Sequence, residues 1–520
     1  MKKLAVLVAL LLLVSALAPA MALAEGGKVT VRINLQSGVG VAEAWAAVEQ
    51  GYEALHPEVD VIVDLKPDEG YADWVKAQFA SDNPEADIVA INLAGPAAAN
   101  KDINFYEYAF DDSPYSDGEW NEQFNFTMQN RNTATAEWNN LSLQSVQVLW
   151  FYNRAIFDEV GVQPPSNWDE LIEVCDKIAA AGYQPLAVAG DFNSFWAGQM
   201  GWLAQMYVDQ TTRDQIEIVK AQEGDYCYDD DIDPNFQYDP TDPWNDDSQN
   251  VTQNPLRYWQ AFRDGKVTAD SAGIKKVMEN FAKVFPKYAG GENFYGTANA
   301  LPLFMQGKAA MIVDGGWRLT EFKRDMDSLK AGKEIMSGET VIEDAQIFEL
   351  GAFNMPSMQG PEFLAPARTI EVAVGFLGAI SKDKAHDDQV VDFLMYYSSA
   401  EGYSAFLSAG IANGMGVNGP ALVNGVKLPG DYQAMFDNLS FIGNCQKGFG
   451  QALARGIGDN QEALRAWYGY SMDLLNGKID IDTWGAMHQE NQMKYLPEVL
   501  KAGKMNPSDL DNPQNAPTGE

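Results

Sequence analysis

Residues 148–181 read VLWFYNRAIFDEVGVQPPSNWDELIEVCDKIAAA, and their patterning decides the class of fold. Val148, Leu149, Trp150, Phe151 and Tyr152 form a continuously apolar, β-rich run, as in a strand covered on both faces. Asn153 is placed to cap a short helix that buries Ile156, Phe157 and Val160 and stops at Gly161, which can adopt the left-handed conformation. Pro164 and Pro165 force an extended approach, and Ser166 with Asp169 three residues later makes a capping-box-like start for the next helix. In that helix Trp168, Leu171, Ile172, Cys175, Ile178 and Ala179 recur at helical spacing as one apolar face, with Glu170, Glu173 and Lys177 outside it. Strand, helix, turn and helix in this order predict an α/β domain.

Working outward toward the N-terminus, strands are predicted at 29–34, 59–65 and 86–91, alternating with helices at 41–55 and 71–79. This βαβαβ series implies a mainly parallel sheet with crossover helices, whose ligands gather at the carboxyl ends of the strands. Gln36, Ser37, Glu69 and Asn92 lie in the loops at those ends and are candidate hydrogen-bonding residues. On the other side, 186–190 reads as a strand whose exit loop offers Asp191, Asn193, Phe195 and Trp196. Polar and aromatic groups together suit a sugar; equally, Phe195 and Trp196 could simply seal the base of the helix that follows. Residues 304–317, FMQGKAAMIVDGGW, read as a helix end and a strand. Gly315 and Gly316 then let the backbone turn sharply and display Trp317 at the sheet edge.

The 520 residues exceed what a single core usually supports, so two or more lobes are expected. Lys2 and Lys3, the apolar run 4–17 and the small-residue site Ala22-Leu23-Ala24 form a secretory signal peptide over 1–24. No cysteine lies near the cleavage site, which points to a free periplasmic protein, or an extracellular one in a cell with a single membrane. Without Lys2 and Lys3 the chain carries 34 basic against 73 acidic residues, a charge of −39 that repels nucleic acid and anionic lipid. Cys175, Cys227 and Cys445 are odd in number; Cys175 reads as core, and Cys227 and Cys445 either pair or stay free.

The insertion 227–253 is rich in aspartate, and the spacing of Asp229, Asp231 and Asp233 fits the start of an EF-hand loop. Pro234 and Pro240 stand where the turn glycine and bidentate glutamate belong, so a solvated loop is expected rather than a calcium site. His56, His386 and His488 are the only histidines and show no metal-ligand spacing. No P-loop, G-x-S-x-G elbow or G-x-G-x-x-G at a strand exit is present, and no cofactor is expected.

The order Tyr152-Asn153, Phe157, Gly161, Pro164-Pro165, Trp168-Asp169-Glu170-Leu171, followed by Phe304-x-x-Gly307-Lys308-Ala309-Ala310-Met311 and Gly315-x-Trp317, resembles the extracellular solute-binding proteins of ABC transporters, the family that contains the maltose-binding protein. The resemblance covers nearly all of the mature chain. It implies two α/β lobes of non-contiguous chain joined by about three crossings, with the ligand cleft between them. Lobe 1 is expected at 28–143 and 375–409, lobe 2 at 148–370 and 413–500, and a disordered tail at 506–520. It further implies a non-enzymatic, monomeric protein that captures a carbohydrate, an oligosaccharide rather than a monosaccharide, and delivers it to a membrane permease. Trp317 is carried over as a residue lining the cleft. The alternatives are a secreted glycosidase, which paired carboxylates would serve, or a binder of peptide or polyol.

Overall fold

The computed structural model describes residues 28–131, 137–338, 340–437, 439–440 and 442–519; the signal-peptide expectation falls outside them. In chain order the strands are β1 (Val29–Gln36), β2 (Val59–Lys66), β3 (Ile88–Ala90), β4 (Gln144–Asn153), β5 (Gln184–Ala187), β6 (Ala309–Gly315), β7 (Met336–Ser337), β8 (Thr340–Val341), β9 (Leu350–Phe353), β10 (Glu371–Val374) and β11 (Leu377–Ala379). Two sheets organise two lobes. The first has the order β11-β3-β1-β2, with β1 parallel to β2 and β3 and only β11 reversed. The second runs β10-β4-β6-β5, with β9 also on β4. Only β5 and β6 are parallel there, so the expected mainly parallel sheet does not hold in the second lobe.

β4 explains why the apolar run is unbroken. All ten of its residues are buried. Val148, Trp150 and Tyr152 enter one core with Phe157, Trp168 and Cys175, while Leu149 and Phe151 enter another with Phe304, Met305 and Phe322. A segment covered on both faces favours apolar residues at every position, and the buried polar residues of β4, Gln144, Ser145, Gln147 and Asn153, fall outside the run 148–152. Asn153 caps the helix Arg154–Val160 by accepting from the amides of Ala155 and Ile156, and Gly161 ends it at φ 71°. The next helix, Trp168–Ala180, is capped by Asn167 through the Glu170 amide; Ser166 is bound instead by the Glu170 carboxylate, 2.7 Å from its N–H and 2.8 Å from its hydroxyl.

The lobes are joined by chain segments that run side by side. Leu141 and Leu143 belong to the first-lobe core and Val148 to the second. β10 pairs with β4, and after Gly375 and Phe376 the chain enters β11 of the first sheet. Along the other edge of β4, the Ser145 amide donates to Pro420 O (3.1 Å) and the Leu422 amide to Leu143 O (2.8 Å). The helices Lys384–Tyr397 and Ala400–Ala412 pack on the first lobe. Past that point, Val417, Val423, Leu428 and Phe436 also lie in the first-lobe core, although 413–500 reads from sequence as second-lobe.

The tail departs from expectation as well. Residues 506–519 are ordered: Asn506 and Asp509 make a capping box, Leu510 is buried, and the carbonyls of Pro513 and Leu510 accept from Asn254 (2.8 Å) and Gln260 (2.6 Å). The cysteines are all unpaired. Among the described residues no helix is long and apolar enough to cross a membrane.

Candidate functional site

The candidate residues of the first lobe lie at the carboxyl ends of β1, β2 and β3. Gln36 and Ser37 are held there: Gln36 Nε2 donates to Asp68 Oδ1 (2.9 Å) and the Ser37 amide to Lys66 O (2.8 Å). Glu69 and Asn92 stand exposed in the neighbouring loops. Beneath them the Tyr71 hydroxyl donates to Asn34 O (2.7 Å) and accepts from the Ala90 amide (3.1 Å), which ties β1 to β3. Trp74 stacks on Tyr71 at 5.9 Å between ring centroids, with the Lys66 ammonium 4.7 Å from its ring. Sequence reasoning passed over Trp74, because an aromatic in a short amphipathic helix reads as core.

In the second lobe, β5 and β6 end at a corresponding edge. Gln199 pins the two strands together, accepting from the Ala189 amide (2.7 Å) and donating to Val313 O (2.9 Å). β6 runs into Gly315 and Gly316, and Trp317 opens the helix Trp317–Lys330. The indole folds back over Gly315: a Cβ there would lie 2.1 Å from Trp317 Cζ3, so no larger residue allows this ring position. Trp317 is half-buried and meets Trp202 edge to face at 6.3 Å. Beside them Arg318 binds Asp314 Oδ2 (2.8 Å) and Glu321 Oε2 (2.8 Å), and burial raises the Glu321 carboxyl above the usual range, with Arg318 opposing. A cavity of about 460 Å³ opens at this edge, lined by Asn193, Gln199, Trp202, Asn299, Asp314 and Arg318. Aromatic faces set among amide, carboxylate and guanidinium groups can bury an apolar ring face and satisfy its polar rim at once.

Trp317 is also mounted on the lobe crossings. The Gly316 amide donates to Gln147 O (2.8 Å), and the Thr320 hydroxyl donates to Val417 O (3.0 Å). The start of the Trp317 helix is therefore tied to segments that join the lobes.

Phe195 is not part of this surface. It is fully buried against Trp467 (5.0 Å), Tyr468 (5.1 Å) and Phe294 (6.4 Å), sealing the base of its helix. Trp196 is half-buried, with the Arg455 guanidinium 5.7 Å from its ring and donating to its carbonyl (2.5 Å). Trp202, one helix later, takes the place beside Trp317. Phe192 packs away from the cavity lining, with the Arg465 guanidinium 4.4 Å from its ring and Tyr468 edge-on at 5.6 Å. Among the described residues, none of Gln36, Ser37, Glu69 and Asn92 hydrogen-bonds to a second-lobe side chain.

The aspartates of the insertion are turned onto their own backbone. Asp229 Oδ1 accepts from the amides of Asp231 and Ile232, Asp233 accepts from Asp229 and Thr252, and Asp239 accepts from Thr241. Asp246 shares Arg368 with Asp209, at 2.6 and 2.5 Å, deep in the second lobe.

The chain matches the family model described as bacterial extracellular solute-binding protein over residues 37–404. It is 24% identical over 186 residues to an uncharacterised ABC-transporter extracellular-binding protein of Pyrococcus horikoshii, a match that spans 35% of this chain and 31% of that protein. Its fold is similar to the cyclic α-maltosyl-1,6-maltose binding protein of Arthrobacter globiformis (TM-score 0.55, 13% identity, 91% of this chain and 100% of that one). It is likewise similar to a family 1 extracellular solute-binding protein of Bifidobacterium longum subsp. infantis (0.53, 14%, 90% and 100%). A third likeness is to the solute-binding protein RafE in complex with raffinose (0.51, 15%, 89% and 100%), a protein of Streptococcus pneumoniae. With more than two-thirds of its length in the family match, the chain belongs to the bacterial extracellular solute-binding proteins.

Proposed function

We propose that this protein captures a carbohydrate, an oligosaccharide, in the cleft between its lobes and delivers it, outside the cytoplasm and without catalysis, to the permease of an ABC transporter. The observation that carries the reading is the second-lobe cavity, where the Trp202 ring stands among Asn193, Asp314 and Arg318, with Trp317 edge to face against Trp202 just outside the lining. A pyranose has apolar C–H faces and a hydroxyl edge, and this cavity offers partners to both. The sugar-binding proteins of similar fold support the choice of carbohydrate over peptide or polyol. Trp317 stacks on one ring in this reading, with Gln36, Ser37, Glu69 and Asn92 supplying hydrogen bonds from the first lobe. Ligand then gains contacts as the lobes approach, and that difference in contacts drives closure.

A thermal-shift screen of the purified protein against α-gluco-, galacto- and chito-oligosaccharides, short peptides and polyols tests this. A ligand at about 100 times its dissociation constant adds about 2.7 kcal/mol of stability. Stabilisation by oligosaccharides alone is the expected result; stabilisation by peptides alone, or sustained cleavage of any glycan, overturns it.

A further inference from the structure

A second cavity, of about 600 Å³, lies between the lobes and shares no lining residue with the one at the strand ends. Asn125 and Thr127 supply its first-lobe wall, and Trp244, Asp247 and Asn250 of the insertion supply the other; its floor is the paired strands β4 and β10, through Ser145 and Glu371. Glu371 is 5% exposed, and its Oε2 has no hydrogen-bond partner. A buried carboxyl in that state is costly, and each such group calls for an explanation.

The other acids around it are paired. Asp247 pairs with Lys447 (2.9 Å), and Asp246 is held with Asp209 by Arg368. Arg131, the next cation along the wall, lies 4.2 Å over the Phe126 ring. Glu371 is thus the acid left over, and the cavity is short of one positive charge. Its other polar side chains are neutral amides and hydroxyls, and Trp244, Met128, Leu422 and Val423 supply apolar surface, so it holds too few oxygen anions to strip a hydrated divalent metal. An alkylammonium loses less hydration, donates to a carboxylate and rests on an aromatic face.

We propose that this cavity is a second ligand site, separate from the strand-end cleft, for a small organic ammonium ion. Its N–H group donates to the Glu371 carboxylate, and its alkyl part lies against Trp244. Glu371 must be ionised to receive it. Burial, reinforced by Asp247 and opposed by Lys447, pushes the free carboxyl up to about 7.

The test uses n-propylammonium chloride, with 1-propanol as its neutral isostere and sodium chloride as the ionic control, titrated into the whole protein at pH 8 by calorimetry. Saturable binding of propylammonium at one site per chain is expected, with no binding of 1-propanol and about a tenfold loss per pH unit as the solution is acidified from pH 7 to 5. Glu371→Gln should weaken binding at least about tenfold and Trp244→Ala about fivefold, while Trp317→Ala leaves it unchanged, which separates this site from the strand-end cleft. Trp244→Ala carries the test if Glu371→Gln does not fold. Non-saturating uptake up to about 50 mM, as a diffuse counterion cloud on an acidic surface would give, overturns the proposal. So does equal affinity for propanol, or affinity unchanged in both cavity variants.

Discussion

Two substitutions at the second-lobe edge separate a ligand platform from a core residue. Trp317→Ala removes the indole; Gly315→Ala keeps it but places a methyl where the ring lies, 2.1 to 2.4 Å from Cζ3, Cη2 and Cε3 of Trp317. Ordinary van der Waals contact begins near 3.4 Å, so the ring must move by about 1 Å or more. Gly315 is in the strand β6, where alanine meets no backbone strain, and the displacement is then the main effect. An aromatic anchor in a desolvated site is worth about 2 kcal/mol, which makes Trp317→Ala about 30-fold weaker for the preferred oligosaccharide. Gly315→Ala should lose about tenfold, because the ring survives in the wrong place. Calorimetric titration gives the affinities, and urea denaturation followed by circular dichroism gives the stabilities. Trp317 is only half-buried, so its removal should cost the ligand-free fold well under the ~3–5 kcal/mol of a buried tryptophan. A stability loss of about that full size with affinity intact would show that the ring is core. Unchanged affinity in Gly315→Ala would show that the indole does not touch sugar.

Three further outcomes follow from buried charge. Glu371, raised from 4.5 to about 7, binds more protons folded than unfolded between those values, so its share of stability is lost as pH rises through that window; Glu371→Gln should gain on wild type by about 3 kcal/mol at pH 8 and by nothing below pH 4, read from urea midpoints. His488 has the opposite sign: buried between Trp484, Tyr470 and the Leu453 carbonyl, it is pushed down to about 4, so stability is lost as pH falls from 6.5, by about 3 kcal/mol at the acid end, and a slope unchanged in His488→Gln would refute it. Arg368→Met leaves Asp209 and Asp246 buried without a partner and should cost about 3–5 kcal/mol, whereas the triple change with Asp209→Leu and Asp246→Leu should recover most of it; a triple variant no better than the single one would contradict this.

What could be read from the chain was local, and what could not was a matter of partners. The run from Val148 to Tyr152 announces a two-faced strand because every position is apolar, but nothing in it states that β6, β9 and β10 lie antiparallel to it. Asn153 and Gly161 are legible caps, since each acts within its own turn. Ser166 misleads because Asn167 caps equally well and the Glu170 carboxylate takes the serine. The tail reads as disordered because its composition supplies almost no apolar surface. One leucine, Leu510, and hydrogen bonds to Asn254 and Gln260 hold it all the same, and those partners are about 250 residues away in sequence.

The same division runs through the sites. The position of Trp317 at the end of β6 is legible because Gly315 and Gly316 beside it serve no purpose in an ordinary strand. Phe195 goes to the core while Trp202 lines the strand-end cavity, and helical spacing alone cannot say which ring the core takes. Glu371 gives no signal at all: followed by Val372-Ala373-Val374, it looks like the solvated start of a strand. It becomes a question only once Lys447 and Arg368 are seen to be committed to Asp247, Asp246 and Asp209. In a chain with 73 acidic residues, the informative carboxylate is the one whose neighbours already have partners.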